Sequence, residues 1–135
     1  MIKRYLLLLL LPAIIFSCGT ETEKKPTTDT GVARAFIRNI LDNNFKEAEQ
    51  YLLKDETNTQ IFERFKKQYS EKDKAVLEKY KEAYIIVNEK SYVTDTVCIF
   101  NYSNSYMKDN KTVLKIVRVN GEWLVDLKYT ISGNL

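Results

Sequence analysis

The sequence predicts an α+β domain, in which N-terminal helices pack on one face of a curved, mainly antiparallel four-stranded sheet. Apolar residues recur at helical spacing up to about residue 82, and from residue 83 onward apolar and polar residues alternate. An Asn120-Gly121 pair separates the last two alternating segments, and this pair is a strong hairpin signal. Helices followed by an antiparallel meander are typical of the α+β class.

Four helices are predicted before the sheet. Asp29 or Thr30 caps the first helix, which ends at residues 42–44. A second, short helix covers residues 45–53, and residues 55–59 form a polar turn. The third helix ends near a Ser70/Asp73 capping box, where a fourth helix begins. The helical period turns these residues towards the core: Val32, Ala33, Phe36, Ile37, Ile40, Leu41, Phe45, Ala48, Tyr51, Leu52, Ile61, Phe62, Phe65, Tyr69, Val76, Leu77 and Tyr80.

Four strands follow, at residues 84–92, 96–103, 112–119 and 122–129, with a polar hairpin loop at 104–110. A two-residue turn at Asn120-Gly121 fixes the last register, so Arg118 should lie opposite Trp123 and Ile116 opposite Val125. One face of this hairpin is then apolar and should pack on the helices. Its residues are Leu114, Ile116, Trp123, Val125 and Leu127.

The amino terminus has the pattern of an export signal. Two basic residues precede 12 apolar residues at positions 5–16, a run shorter than the roughly 20 residues that span a bilayer. Ser17 and Cys18 follow, and this ending resembles the lipobox of bacterial lipoproteins. The resemblance implies that residues 1–17 are removed as a signal peptide and that Cys18 carries fatty acyl (palmitate-type) chains. The alternative is an ordinary signal peptide with a chance cysteine.

Residues 18–30 contain no large apolar side chain, so we predict a lipidated cysteine followed by a flexible tether. Residues 31–135 then form a single domain. Removing Lys3 and Arg4 lowers the formal charge from +3 to +1. A nearly neutral chain has no long-range field that would attract nucleic acid, so no nucleic-acid partner is expected.

Composition argues against several kinds of chemistry. The chain has no histidine and two cysteines, and its four glycines form no phosphate-binding array. With Cys18 lipidated, Cys98 lies alone in an apolar strand, where a buried, inert thiol is expected and a reactive nucleophile is the alternative. We therefore predict no metal site and no cofactor.

Two segments resemble the nuclear transport factor 2-like (cystatin-like) superfamily, and in particular its small bacterial lipoproteins of unknown function. Residues 33–37 with 43–48 are similar to its opening helices, and residues 114–125 to its closing hairpin, where a turn glycine precedes a tryptophan. The resemblance implies a cone whose mouth admits ligands. The candidate lining is aromatic, and packing of the same rings is the alternative: Phe36, Phe65, Tyr69, Tyr84, Tyr102 and Trp123.

These observations predict a membrane-anchored lipoprotein of the cell envelope, with the outer membrane expected and the domain in the periplasm or at the cell surface. It should work as a non-enzymatic binding or interaction module, whose partner is a protein or a small apolar or sugar-like ligand. The alternative is a small enzyme of the isomerase or dehydratase type, with its site inside the cone. Such an enzyme needs an ionisable base there. The register puts Asp126 on the other sheet face, and Asp42 and Asp55 lie at helix ends. Tyr106, in the hairpin loop, either contacts a partner or folds back onto the sheet.

Overall fold

The computed structural model describes residues 24–131, and the side chain of residue 131 is not part of the description. The predicted signal peptide, Cys18 and the first half of the tether lie outside these residues. The elements in chain order are helix α1 (Asp29–Leu41), helix α2 (Phe45–Ala48), a 3-10 turn (Glu49–Tyr51), helices α3 (Glu56–Ser70) and α4 (Lys74–Glu82), strands β1 (Ile85–Thr94), β2 (Val97–Asn104), β3 (Met107–Val119) and β4 (Glu122–Asp126), and helix α5 (Lys128–Ile131).

The four strands form one antiparallel meander in the order β1-β2-β3-β4. Helix α1 lies across the sheet and contacts all four strands. Its buried face meets Phe62 of α3 and the inner sheet residues Phe100, Ile116 and Val125 in a single core. The prediction of an α+β domain with helices and a four-stranded antiparallel sheet is therefore confirmed. No helix within residues 24–131 combines the length and the apolar character needed to cross a membrane.

The predicted register of the last hairpin is confirmed. Val119 lies opposite Glu122, Arg118 opposite Trp123 and Ile116 opposite Val125. Asn120 and Gly121 have φ values of 50° and 81°, which is the left-handed region that this turn needs. The inner face is the one predicted, since Leu114, Ile116, Val125 and Leu127 are buried and Trp123 is half-buried.

The edge of β4 is partly covered by the chain that follows the 3-10 turn. Leu52 makes a parallel bridge to Val125, and the Leu53 N–H donates to the Val125 carbonyl at 2.9 Å. At the opposite side of the sheet, β1 has register irregularities between Val87 and Glu89 and between Tyr92 and Thr94. The two edge strands therefore differ: β4 is hydrogen-bonded to the segment after the 3-10 turn, and β1 pairs irregularly with β2.

The hairpin between β2 and β3 differs from the prediction. Residues 104–110 do not form a polar loop, because β2 ends at Asn104 and β3 begins at Met107. The Asn104 side-chain oxygen accepts from the backbone N–H groups of Tyr106 and Met107, at 3.1 and 3.0 Å. This side chain closes a tight turn, and a register irregularity next to Tyr102 accommodates the remaining residues.

Strand β4 also ends earlier than predicted. It stops at Asp126, and α5 replaces the last residues of the predicted strand. The Asp126 carboxylate accepts from the Lys128 N–H at 3.2 Å, and the Thr130 hydroxyl donates to the Val113 carbonyl at 2.7 Å. Helix α5 thereby packs on β3, and Val113 and Val117, on the sheet face opposite Leu114 and Ile116, are buried.

The helix starts correct three predictions. The cap of α1 is Thr28, whose hydroxyl accepts from the Gly31 N–H at 3.1 Å, so the helix includes the last two residues of the predicted tether. Helix α3 begins inside the predicted polar turn, because Asp55 accepts from the Asn58 N–H at 2.8 Å. The predicted capping box is wrong: Ser70 is the last residue of α3, and Asp73 caps α4 without a side-chain hydrogen bond.

Candidate functional site

A cleft of about 230 Å³ opens between helices α1, α3 and α4 and the facing ends of β2 and β3. Its floor is apolar and its rim is polar. Since ligand sites in proteins are usually concave and mostly apolar with a few placed polar groups, this cleft is the candidate site. Its lining consists of Ile37, Ile40, Leu41, Phe65, Gln68, Tyr69, Lys72, Tyr80, Tyr102, Asn104, Asn110 and Thr112.

A row of aromatic rings connects the core to the rim of the cleft. The Phe45 ring meets the Tyr69 ring edge-on, with centroids 5.2 Å apart. Tyr80 lies 5.7 Å beyond Tyr69, and Tyr106 lies edge-on to Tyr80 at 5.5 Å. These separations suit attractive aromatic pairs. The row fixes one wall of the cleft by packing.

Tyr106 belongs to the outer end of this row. Its side chain is 40% exposed, and the ammonium of Lys79 lies 5.2 Å from its ring centroid. The ring therefore packs on α4 while one side stays in contact with solvent. It is neither a free loop tip nor folded onto the sheet.

Two phenols in the lining keep their protons. Burial raises the pKa of Tyr69 well above its usual value, and the nearby Tyr102 and Tyr80 add to the increase. Burial also raises the pKa of Tyr102 to about 12, although a hydrogen bond with Thr112 opposes this. Both groups are thus hydrogen-bond donors near neutral pH. Within residues 24–131 the Tyr69 hydroxyl has no hydrogen-bond partner.

Lys72 is the single charged residue of the lining. Its ammonium lies 5.7 Å from the Tyr69 ring centroid and 5.8 Å from that of Tyr80. Such placement over ring faces attracts a cation modestly. In the described part of the chain no carboxylate forms an ion pair with it. The cleft therefore holds a positive charge that no acidic side chain neutralises.

Three amides complete the polar rim. The oxygen of Asn104 is engaged in the β2–β3 turn, so its NH₂ group is left to donate. The amides of Gln68 and Asn110 make no hydrogen bond to other side chains or backbone groups of the described chain. Together with the Tyr69 hydroxyl and Lys72, these amides give the cleft several polar groups that have no hydrogen-bond or ion-pair partner in the described chain.

Three of the six aromatic residues predicted to line a site do so: Phe65, Tyr69 and Tyr102. Phe36 is instead in the core, 3% exposed and 6.3 Å from the Phe62 ring. Trp123 is remote from the cleft and lies beside Lys25 and the β3–β4 turn, with the Arg118 guanidinium 5.9 Å from its ring.

The prediction that Tyr84 points inward is wrong, since its side chain is 62% exposed. Ala83, the residue before it, is extended and buried, and its carbonyl accepts from Arg38 at 2.6 Å. Successive side chains of an extended chain point to opposite sides, so Tyr84 faces solvent.

Sequence reasoning missed the polar half of the lining. Neither Gln68 nor Lys72 is among the residues predicted to line a site, although both line the cleft. A signal was present, because Phe65, Gln68, Tyr69 and Lys72 are spaced i, i+3, i+4 and i+7, which is one face of a helix. No such spacing exists for Asn104 and Asn110, which the irregular β2–β3 pairing brings to the rim.

Two polar clusters lie away from the cleft, and both are closed. In the first, the Asp29 cluster, Lys90 and Tyr92 donate to the Asp29 carboxylate at 2.8 and 2.6 Å. Burial would raise the pKa of Asp29, but hydrogen bonds from Lys90, Tyr92 and Thr30 lower it to about 2. This cluster attaches the start of α1 to strand β1.

The second is the Asn58 cluster, which joins the start of α3 to the end of β4. Asn58 is fully buried. Its amide donates to Asp55 at 2.9 Å and to Asp126 at 3.3 Å, while its oxygen accepts from the Leu127 N–H at 2.7 Å. Lys128 pairs with both carboxylates. Each side chain of this cluster therefore has a hydrogen-bond or ion-pair partner within the protein.

Cys98 is fully buried, as predicted, and burial raises the pKa of its thiol. A raised pKa keeps the thiol protonated and unreactive. Within residues 24–131 no group of histidine, cysteine and acidic side chains is arranged to hold a metal ion.

Searches against protein-family models, curated proteins and solved structures found no match to this chain.

Proposed function

We propose that this chain is a lipid-anchored binding protein of the bacterial envelope, attached to the outer membrane through Cys18. Its cleft captures a small ligand and does not convert it chemically. The observation that carries the binding role is the set of partnerless polar groups on the cleft. These groups reach solvent at the mouth of the cleft, since no fully buried side-chain polar atom of the described chain lacks a partner. A ligand that covers the apolar floor can replace their water and complete their hydrogen bonds.

The path of the chain is compatible with an anchored receptor. Helix α1 begins at Asp29, beside the end of β1, and ends at Leu41 in the cleft lining, about 20 Å away. Just before α1, the Lys25 ammonium lies 3.4 Å from Glu122 at the β3–β4 turn. Residues 25–27 lie beside the β3–β4 turn, at the end of the sheet remote from the cleft, and Lys24 lies in a groove on α1 with Arg38 and Asp42. An anchor attached through this segment need not cover the cleft, since none of these residues lines it.

We also propose that the domain is a nuclear transport factor 2-like cone. Support comes from helices on one sheet face, from the four-stranded meander and from a closing hairpin in which Gly121 precedes Trp123. In such a cone the cleft described above is the mouth.

A role without catalysis is supported by the side chains of the cleft. Its lining contains no carboxylate, the chain has no histidine, and its phenols have raised pKa values. Such phenols are poor proton acceptors. The isomerase alternative would need a base such as Asp126, but that carboxylate is bound by Asn58 and Lys128.

One experiment tests both halves of the proposal. The full chain is expressed in a bacterium grown with an alkyne-labelled fatty acid, extracted in mild detergent and examined by native mass spectrometry. We expect an acyl label on the wild type and a small molecule released on denaturation. Cys18→Ser should lose the label, because the thioether cannot form.

The cleft is tested on the same chain by Gln68→Trp, which puts an indole at the exposed mouth. This variant should keep the acyl label and lose the small molecule. Gln60→Trp is the matched control, since it makes the same change at an exposed position of α3 outside the lining, and it should keep both. Label on Cys18→Ser would contradict the anchor. Equal small-molecule occupancy in the two tryptophan variants would contradict the cleft.

A further inference from the structure

We propose that the ligand of the cleft is a small organic monoanion, such as a carboxylate, with an apolar or aromatic body. This inference rests on the proposed binding function and specifies its ligand class. The geometry behind it consists of one unpaired cation, several hydrogen-bond donors without partners and an apolar floor, all in one cavity.

The charge balance of the cleft points to an anion. Some basic side chains of residues 24–131 have acidic partners, such as Lys90 with Asp29, and others, such as Lys67 and Lys79, have none. Lys72 belongs to the second group, and it is the one that lines the cleft. Lys72 has only the faces of two tyrosine rings. Because the lining contains no acidic residue, a bound anion would be the sole counter-charge of Lys72 there.

The hydrogen-bonding groups agree with the charge. The Tyr69 hydroxyl keeps its proton, the Asn104 amide has only its NH₂ group left, and Lys72 donates by nature. An ionised carboxylate only accepts, and hydrogen bonds to a charged group are stronger than neutral ones. Donors and ligand are therefore complementary in kind.

The same groups oppose a cationic ligand. An amine would meet no carboxylate in the lining. It would also compete with Lys72 for the ring faces of Tyr69 and Tyr80, which are the surfaces that attract a cation. An amine thus faces repulsion from Lys72 without a compensating partner.

The volume and the floor define the rest of the ligand. A cavity of about 230 Å³ is below the range of roughly 300–1,000 Å³ that is usual for drug-sized ligands. Ile37, Ile40, Leu41 and Phe65 offer an apolar surface to its body. One ring or a short alkyl chain that ends in a carboxylate meets both conditions.

The test uses three probes that share one body and differ in charge: phenylacetate, phenylacetamide and phenethylamine. Each is titrated into the full chain in detergent micelles while ¹H–¹⁵N spectra follow the side-chain amides of Gln68, Asn104 and Asn110. Phenylacetate should bind at least about tenfold more tightly than phenylacetamide, the difference that a charged hydrogen bond supplies. Phenethylamine should leave these signals unmoved.

Variants assign the preference to Lys72. Lys72→Gln should reduce the difference between phenylacetate and phenylacetamide to about twofold or less. Lys67→Gln makes the same charge change at an exposed residue outside the lining, and it should keep the difference. A Lys72→Gln protein that still prefers phenylacetate as strongly as wild type would overturn the assignment.

The outcomes separate this inference from the proposed function. If the neutral or cationic probe moves the cleft amides as strongly as phenylacetate, the cleft binds ligands but the anionic class is wrong. If no probe moves them, the ligand class is overturned, while the small-molecule release from the wild type still decides whether the cleft binds anything.

Discussion

The Asp29 and Asn58 clusters and the cleft are built from the same kinds of side chains, but only the clusters are complete. In the Asp29 cluster a lysine and a tyrosine both donate to one carboxylate. In the cleft Lys72 and Tyr69 are a similar pair with no carboxylate between them. The number of acceptors, and not the residue types, therefore separates a structural polar group from a recognition group in this molecule.

This difference has an energetic consequence. Truncating a member of a closed cluster leaves its former partners buried and unsatisfied, which costs stability. Truncating a cleft residue removes a group that has no partner to lose. The clusters should therefore respond in unfolding experiments and the cleft in binding experiments.

The largest loss of stability is expected for Asn58→Leu. The change leaves the buried Leu127 N–H and the Asp126 carboxylate without the Asn58 amide, so the free energy of unfolding should fall by about 2–4 kcal/mol. Urea unfolding measures it. Gln60→Leu, at an exposed position of the same helix, should change it by less than about 0.5 kcal/mol. Similar values for the two variants would mean that the Asn58 cluster is not structural.

A smaller loss is expected for Asp29→Asn, and it should depend on pH. The pKa of Asp29 falls from 3.8 to about 2 on folding, so the ionised carboxylate stabilises the fold above about pH 4. This contribution disappears as the pH falls towards 2. At pH 7 we expect the variant to lose about 1–2 kcal/mol.

The check is urea unfolding at pH 7 and at pH 2.5. Wild type and Asp29→Asn should differ at pH 7, and the difference should be much smaller at pH 2.5, close to the native pKa of Asp29. Asp95→Asn, in the exposed β1–β2 turn, should follow the wild type at both. A gap between wild type and Asp29→Asn that is unchanged at pH 2.5 would show that the pairing with Lys90 is not the cause.

The smallest effect on stability is expected for Tyr69→Phe. Its hydroxyl has no partner in the described chain, so the free energy of unfolding should stay within about 0.5 kcal/mol of wild type. Phenylacetate affinity should nevertheless fall severalfold. Tyr92→Phe, which removes a hydrogen bond of 2.6 Å to Asp29, should lose about 1 kcal/mol and keep the affinity. If instead Tyr69→Phe lost stability and Tyr92→Phe lost phenylacetate affinity, the structural role of the cluster and the binding role of the cleft would both be contradicted.

Local rules predicted most of the fold. The hairpin at Asn120-Gly121 follows from two residues that accept positive φ, so its register could be read directly. The β2–β3 turn could not be predicted in this way, since it depends on hydrogen bonds between the Asn104 side chain and the backbone of Tyr106 and Met107. Without these hydrogen bonds, the polar composition of residues 104–110 predicts a loop.

The site was harder to predict because its polar part depends on distant pairings. The amides of Asn104 and Asn110 reach the rim of the cleft only through the irregular pairing of β2 with β3, and no periodicity in the sequence indicates that pairing. The cleft residues of α3 share a helical face, so Phe65 and Tyr69 were within reach. Tyr84 faces solvent because it follows the buried, extended Ala83, and β1 begins only at Ile85, one residue after the predicted start.

The treatment of the outer strands limits how the molecule can associate with its own copies. An open strand edge offers a template for adding a foreign strand, which leads to fibres. Here Leu53 already occupies the Val125 carbonyl on the β4 side. On the β1 side, two register irregularities and the charged residues Glu89 and Lys90 disfavour the addition of a straight strand. When copies of the protein are crowded at a surface, the sheet should therefore resist the addition of strands from neighbouring copies.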